Sequence, residues 1–67
     1  TEWHRAWKNK FPPEWQEIIK HDDQSGEKHI ADVFTSHDLA IEFQYSPLKP
    51  QERVSREHFY RNMVWVR

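Results

Sequence analysis

The 67-residue chain reads as a small α/β domain with element order αβββαβ, a mixed sheet flanked by helices. Three observations predict this. The stretch Lys28–Ser46 alternates with period two on either side of a short polar gap, the pattern of a β-hairpin. A run with Trp3 and Trp7 at spacing four stops at Pro12-Pro13, and a second helix-compatible run follows Pro47 and Pro50. After that run, the β-branched segment Met63–Val66 supplies a last strand, and the helical crossover before it permits parallel pairing beside the hairpin.

In chain order, residues 1–10 predict a helix. Thr1 is a suitable N-cap, Glu2 suits the first turn, and Lys8 and Lys10 suit the last. His4 and Lys8 share a face beside that of Trp3 and Trp7. Residues 15–20 predict a first strand, with Trp15, Glu17 and Ile19 on one side and Gln16 and Ile18 on the other. The polar segment from His21 to Glu27 holds the single glycine, Gly26, and predicts a turn. In the hairpin, pairing Asp32 opposite Glu42 leaves Ser36-His37-Asp38 as a three-residue tip. Residues 51–62 predict the second helix, with Val54, Phe59 and Tyr60 inward.

Composition narrows the field. A chain of this length holds one domain, residues 1–67, with a small core, and it reads as a piece trimmed from a longer protein. There is no cysteine, which excludes disulfides and thiolate metal sites and fits a reducing, cytoplasmic setting. No apolar run is long enough to span a membrane. The formal net charge of −1 excludes a uniformly basic nucleic-acid binder, so any such contact comes from a local cluster. Four tryptophans supply much of the available buried area and read most simply as core.

The hairpin register places Asp32, Glu42 and Gln44 on one face of strands that are otherwise largely apolar. Neighbouring carboxylates repel unless a proton or cation sits between them, and a hard divalent cation takes carboxylate oxygens readily. The competing reading is a pair of solvated strand carboxylates matched by Lys28 or by arginines.

Asp32, followed after nine residues by Glu42-Phe43-Gln44, resembles the D…E-x-K signature of PD-(D/E)XK, restriction-endonuclease-like nucleases, whose minimal core has the element order given above. The closer resemblance is to the nuclease domain of competence-protein CoiA-like families. It rests on His4 and Lys8 in the first helix, Lys28 before the aspartate, and Glu42, Gln44 and Ser46 in the hairpin. Arg56 and Tyr60 in the second helix and the closing Trp65-Val66 complete it. Ala31 stands where the wider superfamily has its proline, and Gln44 stands in place of the usual lysine.

The resemblance implies Mg²⁺- or Mn²⁺-dependent hydrolysis of DNA. Asp32 and Glu42 would hold the metal with the Phe43 carbonyl as a third ligand. Gln44 would orient the attacking water or a phosphate oxygen. Lys8 would stabilise negative charge, and His4 would bind metal, hold a phosphate or shuttle a proton. Arg53, Arg56, Tyr60 and Arg61 would contact the DNA backbone. A homodimer would place two such sites on two strands. Two other function classes stand beside this one: a nucleic-acid-binding module of the same fold that has lost hydrolysis through Gln44, and a protein-interaction domain whose acidic pair is structural.

Overall fold

The computed structural model describes residues 1–67. Its elements are α1 (Glu2–Lys8), β1 (Gln16–His21), β2 (Lys28–Phe34), β3 (Ala40–Phe43), α2 (Pro50–Tyr60) and β4 (Met63–Val66), with a 3₁₀ turn at Pro13–Trp15. The four strands form one sheet in the order β1-β2-β3-β4. The first two pairings are antiparallel and β3–β4 is parallel, so the mixed α/β architecture is the one the sequence predicts.

Thr1 caps α1 as expected, its hydroxyl oxygen accepting from the His4 N–H. The helix is shorter than predicted because Asn9 already serves as its C-cap. Trp15 belongs to the 3₁₀ turn rather than to β1, since Pro13 opens that turn with its fixed φ. Within β1 the predicted alternation holds: Glu17 and Ile19 share the exposed side, Ile19 being 53% exposed, and Gln16 and Ile18 share the partly buried one, although Glu17 takes a left-handed φ of 51°.

The polar turn forms where expected. Asp22 Oδ1 accepts from the Gln24 N–H, and Gly26 supplies a φ of 76°. The hairpin tip is also the expected one. Thr35 N–H donates to the Leu39 carbonyl across Ser36-His37-Asp38, and Asp38 carries the positive φ of 58° that such three-residue loops need.

Helix α2 stops at Tyr60, two residues short of the predicted end. Arg61, with φ 64° and ψ −54°, makes a classic γ-turn closed by the Asn62 N–H donating to the Tyr60 carbonyl. Val54, expected to point inward, is half exposed, whereas Phe59 and Tyr60 are partly buried as expected.

The core lies on one side of the sheet. Val33, Ile41 and Phe43 form its buried centre, and Trp3, Trp7, Phe11, Trp15, Leu39 and Val66 pack around them. Trp7 stacks on Phe43 at 5.6 Å between ring centroids, and Trp3 meets the same ring edge-on at 6.3 Å. Strand alternation sends Asp32 and Glu42 to the opposite side, where α2 lies against them through Arg56.

Candidate active site

The β2–β3 register, Val33 opposite Ile41 and Phe34 opposite Ala40, carries on to set Asp32 opposite Glu42, the pairing read from the sequence. There the main-chain ladder gives way to side chains. The Asp32 N–H donates to Glu42 Oε2 at 2.9 Å, and the Phe43 N–H donates to Asp32 Oδ2 at 2.9 Å. Each carboxylate thus replaces a main-chain carbonyl as acceptor for the facing strand. Buried N–H groups require partners, and this exchange satisfies both while the strands part.

The Phe43 carbonyl accepts from His4 Nε2 at 2.7 Å. A carbonyl only accepts, so Nε2 carries the proton. The other ring nitrogen, Nδ1, lies 2.8 Å from the Thr1 hydroxyl oxygen. In this arrangement both ring nitrogens are engaged, and Nε2 has no lone pair for a metal. His4 acts here as a strut between α1 and β3.

A cavity of about 190 Å³ opens at this point, lined among others by His4, Asp32, Glu42, Phe43, Gln44 and Arg56. Glu42 lies at its floor, 1% exposed. Burial pushes the Glu42 carboxyl up from its ordinary 4.5. The hydrogen bond from the Asp32 N–H draws it down, the Asp32 charge raises it further, and Arg56 opposes the rise without cancelling it. Arg56 Nη1 donates to Glu42 Oε1 at 3.0 Å while its Nε donates to Glu52 Oε1 at 3.1 Å, so one guanidinium bridges the floor to the first turn of α2. Both Glu42 oxygens therefore have partners. Asp32 Oδ1 accepts no hydrogen bond, and the Gln44 side-chain oxygen is buried without a partner.

Of the residues expected to act together, His4, Asp32, Glu42, Phe43 and Gln44 converge on this cavity. Lys8 does not line it: its ammonium lies 3.7 Å from Glu17. Arg56 does line it, but as the partner of Glu42 rather than on an outer DNA-facing surface. This is the arginine pairing that the competing reading anticipated, although Glu42 is buried rather than solvated. Arg53 pairs with Glu57 at 3.4 Å on the exposed side of α2. Tyr60 and Arg61 border a separate depression beside the Asp22 turn. Tyr45 and Leu48 also line the acidic cavity and were not singled out from the sequence, and Trp65, noted there only in the closing strand and as core, lines it too. The position of Tyr45 directly after Gln44 was the available signal.

No group of three or more His, Asp or Glu side chains is arranged to hold a metal ion. The donors at the cavity are two carboxylates, a main-chain carbonyl and an amide oxygen, all hard, and two of these groups offer an oxygen without a partner. In kind this set suits Mg²⁺ or Mn²⁺. Full use of Glu42 requires Arg56 to yield, whereas the Phe43 carbonyl keeps a second lone pair beside the His4 hydrogen bond. No helix is long and apolar enough to cross a membrane. No protein-family model, curated protein or solved structure matches the chain.

Proposed function

We propose that this domain is a metal-dependent nuclease of the restriction-endonuclease-like type, hydrolysing phosphodiester bonds of DNA with Mg²⁺ or Mn²⁺. The observation that carries the reading is the parting of β2 and β3 at Asp32 and Glu42. It brings both carboxylates, the Phe43 carbonyl and Gln44 to one cavity. Asp32 Oδ1, Glu42 and the Phe43 carbonyl would hold the metal, which when bound polarises a phosphoryl oxygen and makes water more acidic.

The chain's own groups have definite tasks. Gln44 brings an amide with an unpartnered oxygen, able to accept from a water and donate to a phosphate oxygen. Gln44 carries no charge, and Lys8 is held by Glu17, so Arg56 is the one lysine or arginine that lines the cavity. A guanidinium there can leave Glu42 for the developing charge on phosphate, to which it bonds bidentately. His4 holds the Phe43 carbonyl in place through Nε2 and fixes α1 across the opening.

The same Arg56–Glu42 contact favours a second reading, the non-catalytic nucleic-acid-binding module, in which Arg56 permanently neutralises Glu42 in place of a metal. The test is a cleavage assay of wild type and Asp32→Asn on linear, circular and single-stranded DNA with Mg²⁺, Mn²⁺ or EDTA. The asparagine oxygen still accepts from the Phe43 N–H, so the fold is kept while the charge is lost. Metal-dependent cleavage by wild type that disappears in the variant is the expected result. Absence of cleavage by folded wild type under every metal condition would give the place to the second reading.

A further inference from the structure

Tyr45 follows Gln44 out of the cavity and is 63% exposed, the most exposed large hydrophobic residue of the chain. It is not a loose side chain. Its ring lies 5.5 Å from that of Trp3, tilted by 41°, and 6.3 Å from that of His4, edge-on. Two rings from α1 thus support it, and more than half of its surface remains open to solvent.

The floor continues past Tyr45. A second depression of about 400 Å³ shares Gln44, Tyr45, Ser46 and Leu48 with the acidic cavity, so the two are contiguous, and Arg53 and Arg67 border it. Arg67 has no ion-pair partner. Arg53 has only the exposed pair with Glu57 at 3.4 Å, a kind of contact worth about 0–1 kcal/mol and readily exchanged for a phosphate. On a chain of net charge −1, this gathers two guanidiniums and a supported, exposed aromatic ring at one exit of the acidic cavity.

We infer that this groove is the path of an unpaired DNA strand: a base stacks on Tyr45, its phosphates meet Arg67 and Arg53, and the strand leads into the acidic cavity. The inference rests on the nuclease reading for the cavity and adds its substrate class. Stacking selects an unpaired strand because a base inside a duplex has its π-faces already covered, whereas a free base gives an aromatic side chain a face whatever its identity. Guanidiniums holding phosphates add affinity without reading sequence.

The test separates binding from cleavage. Fluorescence anisotropy is measured at low salt in EDTA with a labelled oligothymidylate and with a blunt duplex of equal length. The proteins are wild type, Tyr45→Ala, Tyr45→Phe and Arg67→Ala. Tyr45 is exposed, so its replacement leaves the core intact, and circular dichroism checks this. Wild type should prefer the single strand. Tyr45→Ala should weaken that binding about tenfold, with Tyr45→Phe restoring it because the ring remains. Arg67→Ala should weaken it and flatten its salt dependence. Equal affinity for the duplex, no binding by wild type, or an unchanged affinity in Tyr45→Ala would each overturn the groove, whether or not the domain cleaves DNA. Tyr45-dependent single-strand binding without metal-dependent cleavage would keep the groove and remove the nuclease.

Discussion

The two sides of the sheet are built from different forces. On the α1 side, Val33, Ile41 and Phe43 are packed under Trp3, Trp7, Phe11 and Trp15, and the contacts are apolar and aromatic, stacked between Trp7 and Phe43 and edge-on between Trp3 and Phe43. On the α2 side, the helix, which like α1 buries no residue completely, adds directed polar contacts to the packing of Phe59 against His29 at 4.6 Å. Arg56 bonds Glu42, Trp65 Nε1 donates to Glu57 Oε2 at 2.9 Å, and the Ser55 hydroxyl donates to Glu27, which also holds His29. Area removed from water stabilises without regard to geometry, whereas a buried ion pair sets desolvation against attraction and is weak evidence for stability. The first side therefore supplies the stability, and the second fixes where charges stand. Substitutions that separate these two roles test the comparison.

The largest effect is expected from the apolar side. Phe43→Ala removes a ring 3% exposed that Trp7 stacks upon and Trp3 abuts. Such a change costs about 3–5 kcal/mol, comparable with the whole stability of a domain this small. Tryptophan fluorescence in urea should find the variant largely unfolded before denaturant is added. A loss below about 1 kcal/mol would break the comparison at its base.

Next comes the pair on the other side. Arg56→Ala leaves Glu42 buried with an unmatched charge, which for a fully buried pair costs about 3–5 kcal/mol. The Arg56 side chain is 30% exposed, so about 2 kcal/mol is the expected loss, read from the urea midpoint. Adding Glu42→Gln should recover most of it, because the charge is gone while an acceptor remains for the Asp32 N–H. If Arg56 occupies the place a cation would take, Arg56→Ala should also tighten Mn²⁺ binding followed by calorimetry. Unchanged Mn²⁺ affinity would detach Arg56 from the proposed metal site.

A smaller and pH-dependent effect belongs to Glu42 itself. Burial first, and the Asp32 charge as well, hold its carboxyl above 4.5, so the folded state binds this proton more tightly than the unfolded chain does. Its contribution to stability is fully present below pH 4.5 and is lost as pH rises through the folded value. Asp22 runs the other way. The Gln24 N–H, then the Ser25 side chain, lower it below 3.8, so its contribution is present above pH 3.8 and fades as pH falls through the folded value. Urea midpoints followed upward from pH 4.5 should decline less in Glu42→Gln than in wild type. Parallel curves would mean that Glu42 titrates as if it were exposed.

Much of this arrangement is legible in the chain. Period-two alternation and the Ser36-His37-Asp38 tip fix the hairpin register, and register alone sets Asp32 against Glu42. Local turn chemistry and strand patterning are short-range properties, which is why they read well. The errors fall where partners are distant. Lys8 and Glu17 are nine positions apart, Glu42 and Arg56 fourteen, and His4 and Phe43 thirty-nine, and no periodicity announces which cation a carboxylate will choose. The early end of α2 is hidden for another reason. Arg61 holds a strained γ-turn conformation that its residue type does not favour, at the step from α2 into the β4 strand that pairs with β3.

The smallest predicted effect asks most closely whether the α2 side is held by satisfied polar contacts. The Tyr60 hydroxyl is buried without a partner, and burial, followed by the Glu42 charge, raises its phenol well above 10.0. Below pH 10 the neutral phenol is simply tolerated. As pH rises further the unfolded chain ionises first, so stability declines toward the folded value. Tyr60→Phe removes both features and leaves the ring that meets Phe59 edge-on at 5.1 Å. An orphaned buried hydroxyl costs stability, so its loss should leave the neutral-pH urea midpoint unchanged or raise stability by up to about 1 kcal/mol. The decline above pH 10 should also weaken. A fall of more than about 1 kcal/mol would show that the hydroxyl is bonded in solution. A water linking it to Asp32 or Glu42 would then make this side a connected network, whose members stabilise one another beyond their separate contributions. In that case the contrast between the two sides would be one of geometry rather than of strength.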